Sequence, residues 1–308
     1  MGLKAQCLDP HNQNAVFLYC PSIPAAILFA VLFGLLTIAH LTQSIVFRKR
    51  FCWVIIMGGI WETTGFVFRV LTILHQGNST LATAYGNPSQ LLILLSPLWV
   101  NAFTYVLFGR MVYFFLPARK ILGVRAQRMG LLFVLLDIVA FIFQGAGGVM
   151  ADSTDDSTGK IVKTGLHVYM GGIGFQEFFM LLFTLMVIKF HREMLNVEYP
   201  RPGWKKMVYM LYAVLLLITI RIIYRLVEFS QGVYSTLTMH EVYFYVLEAL
   251  PMMLAFLILA IWHPGTVLVG PESEFPKKEK KSKKDKKEPT HLEESSATEL
   301  HRLEYGQV

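Results

Sequence analysis

Seven long apolar stretches alternate with short polar ones, at about 23–46, 52–73, 90–115, 129–150, 165–188, 207–228 and 242–262. Each approaches the roughly 20 apolar residues that a bilayer-spanning helix needs. Backbone in lipid must satisfy its own hydrogen bonds, so each stretch is predicted to be a helix. The fold class is therefore an all-α membrane protein, a seven-transmembrane-helix bundle. The first 22 residues are polar and lack an apolar core, so no cleavable signal peptide is expected. Beyond residue 265 the pattern breaks off into "PKKEKKSKKDKKEP" and a Glu-rich end. Neither can bury a core, so residues 266–308 are expected to form a disordered tail.

Composition agrees: 54% of the 308 residues are hydrophobic and 16% charged, with mean hydropathy +0.49. A soluble domain usually carries about 25% charged residues. The net charge of +7 includes a C-terminal lysine run and is not a nucleic-acid footprint. The loops give the direction. Arg48, Lys49 and Arg50 follow the first stretch; Arg119, Lys120, Arg125 and Arg128 follow the third; Lys189, Arg192, Arg201, Lys205 and Lys206 follow the fifth. Loops 74–89 and 229–240 contain no Lys or Arg, and Lys160 and Lys163 in loop 151–164 are offset by Asp152, Asp155 and Asp156. Positive charge stays cytosolic, so the N-terminus is expected outside and the C-terminus in the cytosol. Residues 1–22 then form an extracytoplasmic segment before a transmembrane domain at 23–265. The sequon Asn78-Ser79-Thr80 falls in an outside loop, which makes Asn78 a glycosylation candidate. Cys7 and Cys20 could pair there, or they are ordinary small residues; with Cys52 they do not make a disulfide framework. The lysine run Lys277–Lys287 is either a solvated topogenic tail or a docking site for anionic inner-leaflet lipid.

Charges within the stretches change the picture most. Each costs roughly 2.5–3.5 kcal/mol on insertion and persists where it is paired or faces a polar cavity. The second stretch carries Glu62 near the midplane and Arg69 two turns further out. The fourth carries Asp137 and Gln144, and the fifth Gln176 and Glu177. The sixth carries Arg221, Arg225 and Glu228, and the seventh Glu241 and Glu248. Arg221 and Arg225 share one helix face at i,i+4, and Glu228 can pair with Arg225. Arg221 has no acid nearby in sequence; Glu248, Glu62 and Glu177 are available. These positions predict a polar layer in the outer half of the bundle. Such a layer either receives a ligand's polar head, relays protons, or braces the helices. In a bracing layer, Arg225→Glu combined with Glu228→Arg is expected to restore abundance.

Other chemistry is sparse. His40, His191 and His263 with Asp137 lie on four different stretches, and no HExxH spacing exists, so neither a metal site nor an enzyme is expected. No phosphate-binding loop appears, which argues against an ATP-driven pump, and no cofactor is expected. Glycines in "GGIWETTGFVFR", "QGAGGVMA" and "GGIGFQEF" permit close helix packing or leave room for a ligand.

Four motifs carry a resemblance: the Glu62-to-Arg69 pattern EXXGFXXR, QGAGG from Gln144, RIIYRLVEFSQG from Arg221, and HEVYFYVLEALPMMLAFLILAIWHPG from His240. In this order, over about 15–265, the chain resembles the fungal RTA-like proteins, the lipid-translocating exporter family. Phe66 stands where that family favours Tyr, and Glu248 where Asp is frequent; both keep the chemistry. The resemblance implies an integral protein of the plasma membrane or another endomembrane, linked to export of, and resistance to, amphipathic compounds. Sphingoid bases and sterol-like molecules are among the compounds it implies. Candidate ligand or translocation residues are Glu62, Arg69, Gln144, Glu177, Arg221, Arg225, Glu228, Glu241 and Glu248. The alternative is a seven-helix receptor or sensor that regulates lipid or stress responses without transport.

Overall fold

The computed structural model describes residues 17, 19–76, 78–151, 159–230, 236–273 and 275. Among the described residues, seven helical spans are long and apolar enough to cross a membrane: Ile23–Val46, Arg50–Leu74, Ser79–Phe115, Ala126–Ala151, Lys160–Leu195, Trp204–Ser230 and Glu241–Thr266. The Lys277–Lys287 run lies outside the described residues.

Helix α1 (Ile23–Val46) starts where Ser22 accepts a hydrogen bond from Ala25 N, with a proline in the first turn. Both features suit a helix N-terminus, where amides lack partners. α2 (Trp53–Leu74), α3 (Ser79–Phe115), α4 (Ala126–Ala151), α5 (Lys160–Leu195) and α6 (Trp204–Ser230) follow. The seventh span comes after the short α7 (Thr236–Met239). It comprises α8 (Glu241–Tyr243), a π-helical turn (Phe244–Ala249) and α9 (Leu250–Ile261). Consecutive helices pack side by side, and α9 packs on both α6 and α1, which closes the ring.

Two helices extend well past their apolar signal. α3 begins at Ser79 rather than near 90, so most of the expected 74–89 loop is helix. Asn78 Oδ1 caps it by accepting from Leu81 N at 3.2 Å, and the helix runs through Pro88 and Pro97. Hydropathy marks the lipid-facing length, whereas a capped helix continues into the interface. α5 likewise extends to Lys160 and Leu195, and takes in Lys189 and Arg192, which the apolar pattern assigns to a loop. Between α3 and α4, β1 (Lys120–Ile121) and β2 (Val124–Arg125) form a small antiparallel hairpin. Its turn residues Leu122 and Gly123 both have positive φ, 47° and 77°, as a type I′ turn requires.

Close approach explains the α2–α3 contact. Ser89 Oγ donates to Gly65 O at 2.8 Å, and Ser96 Oγ to Gly58 O at 2.9 Å. The hydroxyls reach the α2 backbone because no side chain stands between. At the far end from Glu241, α1 is fastened to α9. His40 Nε2 lies 3.0 Å from Phe256 O, and Gln43 Nε2 donates to Ala260 O at 2.8 Å. Gln43→Leu should lower the melting temperature of the purified protein, through a loss of about 1 kcal/mol for one removed hydrogen bond.

Candidate functional site

The charged layer resolves into two clusters joined by a cavity. In the deeper one, Arg221 Nη2 donates to Glu248 Oε1 at 2.6 Å. Arg225 Nε lies 3.1 Å from Glu248 Oε2 as an ion pair, without its N–H aimed at that oxygen. Arg225 Nη1 donates to Glu228 Oε2 at 3.2 Å, and Tyr224 OH to Glu228 Oε1 at 3.0 Å. Glu248 is 1% exposed and serves two guanidinium groups at once. It stands in the π-helical turn, just before Pro251. Proline cannot donate to the carbonyl one turn back, and the wider turn accommodates that loss: Leu250 N reaches Tyr245 O, five residues earlier. Such turns occur often at functional sites.

The outer cluster centres on Arg69. Its guanidinium lies over Phe17 and Phe244, with centroids 4.9 and 4.2 Å away. Its Nε donates to Tyr245 OH at 3.3 Å and its Nη2 to Tyr19 OH. Nη2 also pairs with Glu241 Oε1 at 3.4 Å. The other oxygen of Glu241 accepts from Ser22 N at 2.7 Å and so ties the start of α1 to the seventh span. Hydrogen bonds to charged groups contribute about 1.5–3 kcal/mol. Glu241→Ala should therefore lower the thermal stability of the detergent-solubilised protein measurably while leaving the deeper cluster intact. Tyr19 lies outside the spans, and burial raises its phenol above the usual tyrosine value, so it stays a neutral donor and acceptor.

Between the clusters lies a cavity of about 320 Å³, whose lining includes Tyr19, Arg69, Ser89, Tyr224, Arg225 and Glu228. A smaller one, about 20 Å³, reaches Arg221 and Arg225 from the α3–α4–α5 side, past Gln144 and Gln176. Gln144 Nε2 donates to Gln176 Oε1 at 3.0 Å. Arg225 thus touches both cavities, and its Nη2 is buried without a hydrogen-bond partner. Glu62 is 2% exposed with Oε2 unpartnered; Arg221, Glu248 and Arg225 are among the charges that act on it. Glu177 stands apart on α5, half-buried, and joins no ion pair among the described residues.

Of the residues singled out from sequence, Arg69 and Glu241 meet, as do Arg221, Arg225, Glu228 and Glu248. Gln144 lines the adjoining cavity. Glu248 is the acid that Arg221 lacked in sequence. That sharing undoes one expectation. With Arg225→Glu and Glu228→Arg, the carboxylate introduced at position 225 would oppose Glu248, so the swap does not isolate the Arg225–Glu228 pair. Tyr224, at i−4 from Glu228, could have been found by helical spacing. Tyr19 gave no such signal, since its contact spans 50 residues.

The three histidines have separate partners: His40 Nε2 is 3.0 Å from Phe256 O, His191 Nδ1 3.2 Å from Tyr212 OH, and His263 Nε2 3.5 Å from Cys52 Sγ. No group of three metal-ligating side chains occurs among the described residues. Cys20 is disulfide-bonded and Cys52 is free; Cys7 lies outside the described residues. Asn78 and its sequon partners are exposed.

Comparison with known proteins agrees with this architecture. A probable lipid transporter of Emericella nidulans, atnI, is 42% identical over 289 residues, covering 90% of this chain and 74% of its own. Protoporphyrin uptake protein 1 of Saccharomyces cerevisiae is 26% identical, covering 79% of this chain and 90% of its own. The sphingoid long-chain base transporter RSB1 of the same species (strain YJM789) is 24% identical, covering 86% and 78%. No solved structure matches. The model of the RTA1 like protein family matches residues 55–270, which hold both charge clusters except Phe17, Tyr19 and Ser22, and the chain belongs to that family.

Proposed function

We propose that this protein translocates amphipathic lipid-like molecules across the membrane, with the polar head entering the 320 Å³ cavity between the charge clusters. The observation that carries this reading is Arg225. It lines the cavity, its charge is already balanced by Glu228 and Glu248, and its buried Nη2 has no hydrogen-bond partner. A guanidinium in that state can hold a hydroxyl or anionic oxygen of a head group, while Tyr19, Tyr224 and Ser89 supply hydroxyls beside it. The names of the relatives, a probable lipid transporter and a sphingoid long-chain base transporter, support the same class of cargo.

The orientation that suits this reading places Tyr19, Arg69 and Glu241 on the extracytoplasmic side. The cavity then opens outward, from the plasma membrane as the most fitting location. Residues 1–22 are outside, the transmembrane domain is 23–265, and the lysine run Lys277–Lys287 is cytosolic, where it can dock on anionic lipid. Asn78 then faces the compartment in which glycans are attached. Glu62 and Gln144 lie beside the cargo path, and Glu177 flanks it.

The test uses purified full-length protein in liposomes with a fluorescent sphingoid base and a matched neutral lipid. Arg225→Lys keeps the charge and removes the planar fork, and is expected to slow transbilayer movement at least about tenfold, the loss of one charge-assisted hydrogen bond. Glu228→Gln should act in the same direction. Both variants must remain monodisperse. Movement that is no faster with the wild-type protein than without it, together with retained ligand binding, would replace the translocator with a seven-helix sensor.

A further inference from the structure

A second polar site lies in the bundle, away from the charge clusters. Asp137 of α4 is 3% exposed. Its Oδ2 accepts two hydrogen bonds from α3: Asn101 Nδ2 at 3.0 Å and Tyr105 OH at 3.1 Å. Its Oδ1 is buried and has no partner, and the same holds for Asn101 Oδ1. No Lys, Arg or His among the described residues pairs with Asp137.

A carboxylate placed there would be a bare charge in the membrane interior, which costs several kcal/mol or more. Two acceptors without a donor on two residues already joined by one hydrogen bond call for one missing proton. A carboxylic acid has one O–H to give, and an amide has one carbonyl to accept it. Placed on Asp137 Oδ1, the proton turns the single Asn101–Asp137 bond into a two-bond acid–amide pair. It also removes the charge. We infer that Asp137, Asn101 and Tyr105 form an intramembrane proton-binding site, which holds one exchangeable proton on the Asp137 carboxyl.

The surroundings fit. α4 carries no charged residue besides Arg128, near its start, and Asp137. α3 faces the site with Asn101 and Tyr105, and α5 with the ring of Phe183 and, further off, Glu177, whose charge acts on Tyr105. Glu177 in turn is hydrogen-bonded towards Thr219 of α6. On α4, Phe141 and Gln144 follow one and two turns after Asp137, and both line the small cavity that reaches Arg221 and Arg225. The site does not depend on what cargo the protein moves.

The experiment is an infrared titration of the purified full-length protein in lipid bilayers, read at the C=O stretch of protonated carboxyls. Expected is a band that shifts in heavy water, loses intensity as pH rises, and is missing from Asp137→Asn but present in Glu62→Gln. Asp137→Asn replaces the acid–amide pair with an amide–amide pair of the same shape and should stay folded, whereas Asp137→Leu should lower the yield. Tyr105→Phe removes one donor from Oδ2 and should move the band; it assigns the band independently if Asp137→Asn cannot be purified. Identical bands in wild type and Asp137→Asn, or no movement in Tyr105→Phe, would overturn the site. A band that vanishes in Asp137→Asn but holds full intensity across the pH range in which the protein stays folded would overturn the exchangeable proton. None of these readings requires lipid movement, so the site and the translocator stand or fall separately.

Discussion

Glu248→Gln should remove most of the folded protein. Glu248 neutralises Arg221 at 2.6 Å and Arg225 at 3.1 Å, and it is 1% exposed. The amide keeps the volume and can accept one hydrogen bond, but it takes away the only acid paired with Arg221 among the described residues. Removing one partner from a buried pair costs about 3–5 kcal/mol, because the remaining charge is left uncompensated. Here two guanidinium groups are affected at once. Arg225 retains Glu228, so Arg221 bears most of the loss. The check is the monodisperse fraction of a fluorescent fusion after detergent extraction. The double variant Glu248→Gln with Arg221→Gln, which removes the stranded charge, should recover part of that fraction. No recovery would mean that the ion pair contributes through something other than charge balance.

Gly147→Val should be comparably severe, for a different reason. α4 and α5 touch through backbone. A Cβ at Gly147 would meet the amide nitrogen and Cα of Tyr169. One at Gly165 would lie 2.5 Å from Ala151 N, and one at Gly172 2.9 Å from Ala140 O. These neighbours are main-chain atoms and cannot turn aside like a side chain. The helices must separate, which also breaks the Gln144–Gln176 hydrogen bond beside them. Overpacking typically costs about 1–3 kcal/mol and more where backbone has to move, and Val at Gly147 should reach or exceed the upper end. Gly145 and Gly171 have open space around the same position. Gly145→Ala and Gly171→Ala should therefore leave the stability unchanged or raise it by up to about 1 kcal/mol, since Ala is the better helix former. A tolerated Gly147→Val would show that α4 and α5 do not need this contact.

Much of this was legible in the chain, and the reasons are specific. Lipid leaves the backbone so few choices that seven apolar stretches already meant seven helices. Their ends were not legible, since hydropathy reports burial in lipid while Asn78 caps α3 about three turns before the apolar run begins. Buried acids are so scarce that Arg221 had few partners to choose from, and Glu248 was among them. Glu177 lies at a plausible depth, but its hydrogen bond goes to Thr219 and it joins no ion pair among the described residues. The partners of Asp137 were not legible, because Asn101 and Tyr105 stand on another helix, 36 and 32 residues away, and no spacing rule links them to it. Tyr19 and Phe17 come to Arg69 from before the first span, a contact that no periodicity encodes.

The π-helical turn at Phe244–Ala249 has a consequence for how chains of this kind can differ in length. A π-helical turn takes up one residue more than a regular turn, whereas each residue of regular helix turns the axis by roughly 100°. Losing one residue inside Phe244–Ala249 would let the turn relax towards regular helix and leave Glu241 and Glu248 on nearly their present faces. Losing one between Arg221 and Glu228 of α6, where every turn is regular, would swing one charge away from the other with nothing to absorb it. A change of length by one residue is therefore tolerated in the seventh span and disruptive in the sixth.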